Sequence, residues 1–422
     1  MLFDVVVIAL YFLSKVKIFS YPCVKSVHAC PLVLVRAIMR LVTLVLASSI
    51  APPWRALRWQ RLYRAIVLSC ARLSTSVLPY TYFRGARMKH LYTALVCSIR
   101  AHSCPIDAWE FIMIHTVTLN PAVDKTAHIS RFTIDRVNKI EYMRADAAGK
   151  GINVSKVLLS LGEKSCAWCI LAGETGHLIE HALECAHIPT EALFVEGSTR
   201  TNLKIVDTEL DTHTDINEPG PCVSNEDVDV LVERLCARIS RGDYVVLAGS
   251  LPRGLAADTY KTLVLTLKAH GALVWLDASG EALQRGCEAY PYCIKPNNYE
   301  LAELCGCDPL DRSALVHAAM SLGNKGIELV VVSLGKDGAL FVARGKRPFY
   351  VPACNVSVAS TVGAGDSCVA ALVHGFSKLW SLETIACFSQ ATAGATVMQE
   401  GTQAPSHALI EQLQSQVSVE YL

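Results

Sequence analysis

The chain runs to 422 residues, 52% of them hydrophobic, with 39 Lys+Arg balanced against 38 Asp+Glu. That length bounds it at two or three domains, and that apolar share is ample for a large core. A near-zero net charge removes the main reason to expect nucleic acid as a partner.

The balance hides an asymmetry. Of the 39 basic and 38 acidic residues, 14 and 3 fall in the first 112 positions, which leaves 25 basic against 35 acidic from 113 onward. The opening apolar run lasts about a dozen residues before Lys15, short of the roughly 20 needed to span a bilayer. A second run carries Arg36 and Arg40 near its centre, which is costly in lipid. "PPWRALRWQRLYRAIVLSCARL" is Arg-rich and amphipathic, suited to an acidic membrane surface. Met113 then opens "MIHTVTLNPAVD", a strand and a turn, which reads as the natural start of a domain. Residues 1–112 are therefore expected to be a basic, apolar extension, poorly ordered or the product of a misplaced start codon. A membrane-surface anchor and then a real domain are the alternatives, and membrane contact is expected only if the extension is real.

From 113 to 422, apolar strand-like runs alternate with helical patterns, which predicts an α/β fold with a largely parallel sheet. The strand candidates are "HTVTL", "CAWCILAG", "TNLKIVD", "YVVLAGS", "ALVWLDAS", "PYCIKPN", "LVVVSLG" and "GALFVA". Helices are expected at "NVSKVLLSLG", closed by Gly162, and at "SNEDVDVLVERLCARIS", opened by Ser224 or Asn225. "ADTYKTLVLTLKAHG", "NYELAELCG" and "DSCVAALVHGFSKLW" follow the same pattern. "HISRFTIDRVNKIEYMRADAA" alternates polar and apolar residues, as exposed strands do. With the 200–217 stretch it predicts a small β-lid, of strands at about 126–145 and about 200–217, over a cleft or against a second copy. The 17 cysteines show no zinc spacing; Cys166 and Cys169, inside an apolar strand, are read as buried thiols. Such usage fits a reducing, cytoplasmic setting.

Ligands of open α/β sheets bind beyond the carboxyl ends of strands. Asp124, Ser250, Asn297 and Gly335 follow four of the expected strands, and one shared cleft explains four such residues better than separate turns do. "AAGKGINVSKVL" puts Gly149 and Gly151 around Lys150 and sets Asn153 on an early helical turn, either an anion site or a plain helix start. Arg200 in "STRTNLKI" lacks a local acidic partner, and a substrate phosphate would supply one; Asn202 lies beside it. In "KPNNYE", Asn297 and Glu300 form either a capping box or, through Glu300, a hold on hydrated Mg²⁺. "STVGAGDS" places Asp366 behind Gly363, Ala364 and Gly365 at the start of an apolar helix. The aspartate is an N-cap or a base that accepts a hydroxyl proton beside an anion cradle, and a cap has no need of two glycines.

With these motifs in this order, residues 113–422 resemble the ribokinase-like sugar kinases, and within them the PfkB branch. "TVTLNPAVD", "AAGKGINVSKVL", "TRTNLKI", "AGSLPRG", "IKPNNYEL", "VVVSLGKDGAL" and "STVGAGDS" carry the resemblance, which covers about three quarters of the chain. "AAGKGINV" and "STVGAGDS" read like the 1-phosphofructokinase subgroup, with tagatose-6-phosphate kinases next. The resemblance implies a three-layer α/β/α sandwich with a mostly parallel central sheet and a small β-lid. It implies ATP-dependent phosphorylation of a ketohexose phosphate, fructose 1-phosphate first. Tagatose 6-phosphate or fructose 6-phosphate is the rival acceptor, and an inactive sugar-phosphate sensor is the rival class. By position it implies Asp366 as general base and Gly363, Ala364 and Gly365 as anion hole. Asn297 and Glu300 fall in the motif that handles magnesium and phosphate. Lys295, Ser333, Gly335, Asp337 and Gly338 fall in nucleotide-contacting segments. Asp124, Gly149, Lys150, Asn153, Arg200 and Asn202 fall in sugar-phosphate segments, with Ser250 nearby; Lys150 and Arg200 would meet the phosphate already on the sugar. The implied cofactors are ATP and Mg²⁺, and the implied assembly is a homodimer through the lid.

Overall fold

The computed structural model describes residues 112–399 and 401–422. The expectation for residues 1–112 therefore lies outside the described residues, apart from Ile112.

The chain builds a ten-stranded sheet in the order β14-β13-β12-β11-β10-β9-β8-β1-β4-β5. Its strands are β1 (Ile114–Thr118), β4 (Ser165–Ala172), β5 (Thr190–Val195), β8 (Tyr244–Ala248), β9 (Leu273–Asp277), β10 (Cys293–Ile294), β11 (Leu329–Ser333), β12 (Ala339–Ala343), β13 (Phe349–Val351) and β14 (Glu420–Tyr421). From β11 through β10, β9, β8 and β1 to β4 and β5 every pairing is parallel, while β12, β13 and β14 add on antiparallel. β1, β4 and β8 are buried along their whole length, which is why they read as continuous apolar runs.

Ten helices accompany the sheet among the described residues: α1 (Lys150–Ser160), α2 (Gly173–Cys185), α3 (Asn225–Cys236), α4 (Thr259–Ala269), α5 (Gly280–Cys287), α6 (Asn298–Cys305), α7 (Arg312–Lys325), α8 (Ala364–Ser377), α9 (Leu382–Val397) and α10 (His407–Gln414). The period-two alternation of the strands divides them into two layers. Val245, Leu247, Val274, Leu276, Val330 and Val332 pack with helices α3 to α7. The intervening Tyr244, Val246, Trp275, Leu329 and Val331 pack with α1, α8, α9 and α10. The result is a three-layer α/β/α sandwich. Cys166 and Cys169 in β4 join different clusters and are free. Burial pushes their thiols up, to about 11 and about 12.

A separate four-stranded sheet has the order β3-β2-β6-β7, formed by β2 (Ala122–Ile129), β3 (Tyr142–Ala148), β6 (Arg200–Asp207) and β7 (Thr212–Asn217). Its first hairpin differs from the expected 126–145. β2 starts four residues after β1 ends, and most of 130–141 is loop. Polar side chains bind that backbone in place of a ladder. Asp207 accepts from the Phe132 N–H as well as from Glu209 and Leu210 in the turn after β6, and Asn138 exchanges bonds with the Thr133 backbone. Asp135 adds a left-handed turn at φ 59°. No helix among the described residues is long and apolar enough to cross a membrane.

Candidate active site

The parallel strands deliver their carboxyl ends to one edge of the sheet, and the expected residues gather there in three groups.

The first group joins α1 to α8. α1 starts tight against β1, since a Cβ on Gly151 would lie 2.5 Å from Thr118 Oγ1. Gly149, its N-cap at φ 130°, is packed almost as closely on Thr118 and Pro121. These glycines thus serve the approach of helix to strand, which sets Lys150 and Asn153 at the edge. α8 begins after Gly363 in the left-handed region, φ 79°, and no side chain caps it. Asp366 is therefore no N-cap. It is buried, 6% exposed, and its Oδ2 accepts a 2.8 Å bond from Asn153 Nδ2. The backbone N–H groups of the first turn of α8 are left without intrahelical acceptors.

Around this pair stand three charges. Lys150 Nζ lies 3.1 Å from Asp277 Oδ1, and Lys295 Nζ lies 3.6 Å from Asp277 Oδ2. Burial and then the Asp277 charge push the Asp366 carboxyl up to about 6, against the pull of Lys150, Asn153 and Lys295. Burial opposes ionisation of Asp277 as well, but the two lysines outweigh it and hold its carboxyl below the usual value. Burial also opposes the Lys295 charge, and there the surrounding acids prevail and raise it.

The second group straddles β2 and β6. Asp124 lies inside β2 rather than in a turn, directly opposite Asn202, whose Nδ2 donates to Asp124 Oδ1 at 2.9 Å. Burial pushes Asp124 up, moderated by that bond and by the Arg200 and Lys156 charges. Arg200 Nη2 donates to the Asn120 carbonyl at 3.0 Å. Asn120 Nδ2 reaches Ser250 Oγ at 3.4 Å. Of the two cations expected to meet one phosphate, Lys150 is paired with Asp277 and Arg200 donates to the Asn120 carbonyl.

The buried polar side-chain atoms at this edge that lack a hydrogen-bond partner include Asn120 Oδ1, Asn153 Oδ1, Asn202 Oδ1 and Arg200 Nε, besides Thr118 Oγ1, which is wedged between β1 and α1. Buried polar atoms are rarely left so, and a cluster of three acceptors and one donor suits a ligand bearing hydroxyl groups and an anionic oxygen.

The third group lies past β10 and β11, whose ends are joined by a bridge between Asn297 and Ser333. Asn297 and Glu300 form the reciprocal capping box of α6, with Asn297 Oδ1 on the Glu300 N–H and Glu300 Oε2 on the Asn297 N–H, each 2.8 Å. Glu300 Oε1 remains for another partner. Gly335 opens a short 3₁₀ turn at φ 60° with open space where a Cβ would stand, whereas Gly338 backs onto the Val351 carbonyl. Asp337, between them, accepts from the Tyr350 hydroxyl through its backbone carbonyl. Among the described residues no three His, Cys, Asp or Glu side chains gather as a metal site. One free carboxylate oxygen suits a magnesium ion that arrives with nucleotide phosphates and is held through water.

Asp277 and Asn120 were missed in the sequence. The signal for both is present: "LVWLD" closes an apolar strand on an acid, and "TLNP" follows one with an amide.

Residues 117–409 match the pfkB family carbohydrate kinase profile. The chain is 36% identical to the 1-phosphofructokinase of Bacillus subtilis over 307 residues, covering 73% of this chain and 99% of that one. It is 34% identical to a tagatose-6-phosphate kinase of Staphylococcus epidermidis, covering 62% and 85%. Phosphofructokinase-2 of Escherichia coli, solved in complex with potassium, superposes with a TM-score of 0.69 at 28% identity, covering 72% and 99%.

Proposed function

The chain belongs to the pfkB family of carbohydrate kinases, and from that footing we propose that it phosphorylates fructose 1-phosphate, giving fructose 1,6-bisphosphate and ADP. The observation that carries the sugar side is the set of unpartnered polar atoms, Asn120 Oδ1, Asn153 Oδ1, Asn202 Oδ1 and Arg200 Nε, beside a buried Asp366. A family kinase uses ATP. Its phosphates are read against the first turn of α8, with the free N–H groups of Ala364, Gly365 and Asp366 facing the charge that develops during transfer. Lys295, Asn297, Ser333, Gly335, Asp337 and Gly338 line the nucleotide side of this reading.

Asp366 accepts the proton of the attacking hydroxyl. The hydroxyl oxygen bonds to the γ-phosphorus, the bond to the β–γ bridging oxygen breaks, and ADP leaves with that electron pair. Asn153 orients the base, Asp124 and Asn202 take sugar hydroxyls, and Arg200 takes the phosphate already on the substrate. Glu300, through its free Oε1, would hold a hydrated magnesium ion, which would neutralise charge on the nucleotide phosphates.

The kinase unit in this reading is residues 113–422, supported by the family match and by the compact unit Glu110–Leu422. The four-stranded sheet is read as its lid and as the contact of a homodimer. A cytoplasmic setting suits both ATP and the free thiols.

A coupled ADP-release assay against fructose 1-phosphate, tagatose 6-phosphate and fructose 6-phosphate tests the reading. Fructose 1-phosphate is expected to give the highest kcat/KM. Preference for a 6-phosphate favours the second reading, to which the Staphylococcus relative lends weight. Silence toward all three leaves a sensor.

A further inference from the structure

Asp277 lies outside the sequence motifs, yet at 2% exposure it is more enclosed than Asp366 or Lys295. It closes β9, between the ends of β8 and β10. Its two oxygens are divided between lysines from different elements: Oδ1 takes Lys150 from the first position of α1, and Oδ2 faces Lys295 just past β10. Among the described residues neither lysine pairs with Asp366, although both charges act on it. Lys295 also runs under the start of α8, where a Cβ on Gly365 would come within 3.2 Å of Nζ. A cavity of about 10 Å³, walled by Trp275, Cys293, Val369 and Leu372, lies beside Asp277 and Lys295, room for at most one water.

We propose that Asp277 is a positioning residue for the phosphoryl transfer: it keeps the Lys150 and Lys295 ammonium groups beside the Asp366 carboxylate without letting either pair with it. A base locked in an ion pair with lysine is a weak base. Without a carboxylate between them, the two ammonium groups repel each other and turn to the other anion that both act on, Asp366. With Asp277 in place, two positive and two negative charges balance, and both lysines stay at a fixed spacing for incoming phosphate oxygens. The groups facing Asp366 are Lys150 and Asn153 from α1, Asp277 from β9 and Lys295 past β10; Glu300 of α6 faces Lys295. The inference rests on the reading of Asp366 as the base.

Asp277→Asn in the full chain tests it, because the shape stays and the charge goes. The kcat is expected to fall about a hundredfold, with Michaelis constants changing far less. The acidic limb of kcat/KM is expected to move to lower pH, since the Asp277 charge no longer raises Asp366 and the released lysines approach it. Asp277→Glu keeps the charge but moves it by one methylene, so its limb is expected nearer the wild-type pH than that of Asp277→Asn and its kcat between the two. That variant also serves where Asp277→Asn does not fold, and a full wild-type kcat in it overturns the proposal. Loss of activity in step with loss of Tm, with the limb unmoved, overturns it as well. A ¹³C-aspartate NMR titration of Asp366 needs no turnover. Its midpoint is expected to drop in Asp277→Asn, and an unchanged midpoint sinks the proposal. Wild-type protein inert toward all three sugar phosphates counts against the functional reading instead, and leaves the titration to decide the charge arrangement.

Discussion

Asp366 shows how surroundings set the chemistry of one side chain. Enclosure and the Asp277 charge raise its carboxyl to about 6, so near neutral pH it is ionised yet basic enough to take a proton from a hydroxyl. The proposed role has a pH sign. The base works only without its proton, so kcat/KM should fall as pH drops through about 6, one proton at a time. Asp366→Ala should lower kcat by about 10²–10⁴-fold while ATP binding, read by calorimetry, stays close to wild type. A variant with near-normal turnover, or a flat profile between pH 5 and 7, would remove Asp366 from the chemistry. That Asp366 is more than a helix cap was legible, because two glycines ahead of an acid at a helix start exceed what a cap requires, and the structure gives the cap position to Gly363. Asp277 was not. A single acid at a strand end looks like any turn residue until the fold brings up Lys150, 127 positions away in the chain, to occupy it.

Among elements, the pairing that matters is α1 with α8, which carry Asn153 and Asp366. Their far ends are tied by Glu163, just past α1. Its Oε1 lies 3.0 Å from His374 Nδ1 and 2.6 Å from Lys378 Nζ, both on or just past α8. The His374 bond, followed by Lys378, holds the Glu163 carboxyl down to about 2 from an ordinary 4.5. A depressed carboxylate stabilises the fold above its unfolded value and loses that contribution as pH falls from about 4.5 toward 2. Glu163→Gln should cost about 1–2 kcal/mol at neutral pH, less than the full shift because Lys378 stands half in water. Thermal unfolding at several pH values checks it: the Tm gap between variant and wild type should close below pH 4.5. A gap independent of pH would mean packing, not charge, supplies the tie. Elements buried on both faces, such as β4 and β8, announced themselves as apolar runs. The loop at 130–141 did not, because its alternation imitates a strand while Asp207, far along the chain, binds its backbone. β5 and β14 are sheet edges, too mixed in composition to stand out.

For the whole molecule, the three-layer sandwich was legible from the alternation of strand and helix, and the small sheet's first hairpin only in outline. The exposed apolar side chains of that sheet and its loop, Ile134 at 84%, Val137 at 92% and Ile216 at 52%, support the proposed homodimer. Sedimentation velocity of the full chain should give twice the protomer mass, and Ile216→Asp should shift it toward the monomer. A monomeric wild type would end that assignment.

The bond between Asn153 and Asp366 joins residues 213 positions apart. A chain emerging from the ribosome therefore holds the proposed sugar-side residues of β2, α1 and β6 long before it holds the proposed base. Domains assemble from the amino end as they are made, and contacts of such long range close late. In this reading the unfinished protein can have a place for a sugar yet no means of spending ATP, and catalysis waits until α8 docks beside α1 and α9, α10 and β14 close the fold over it.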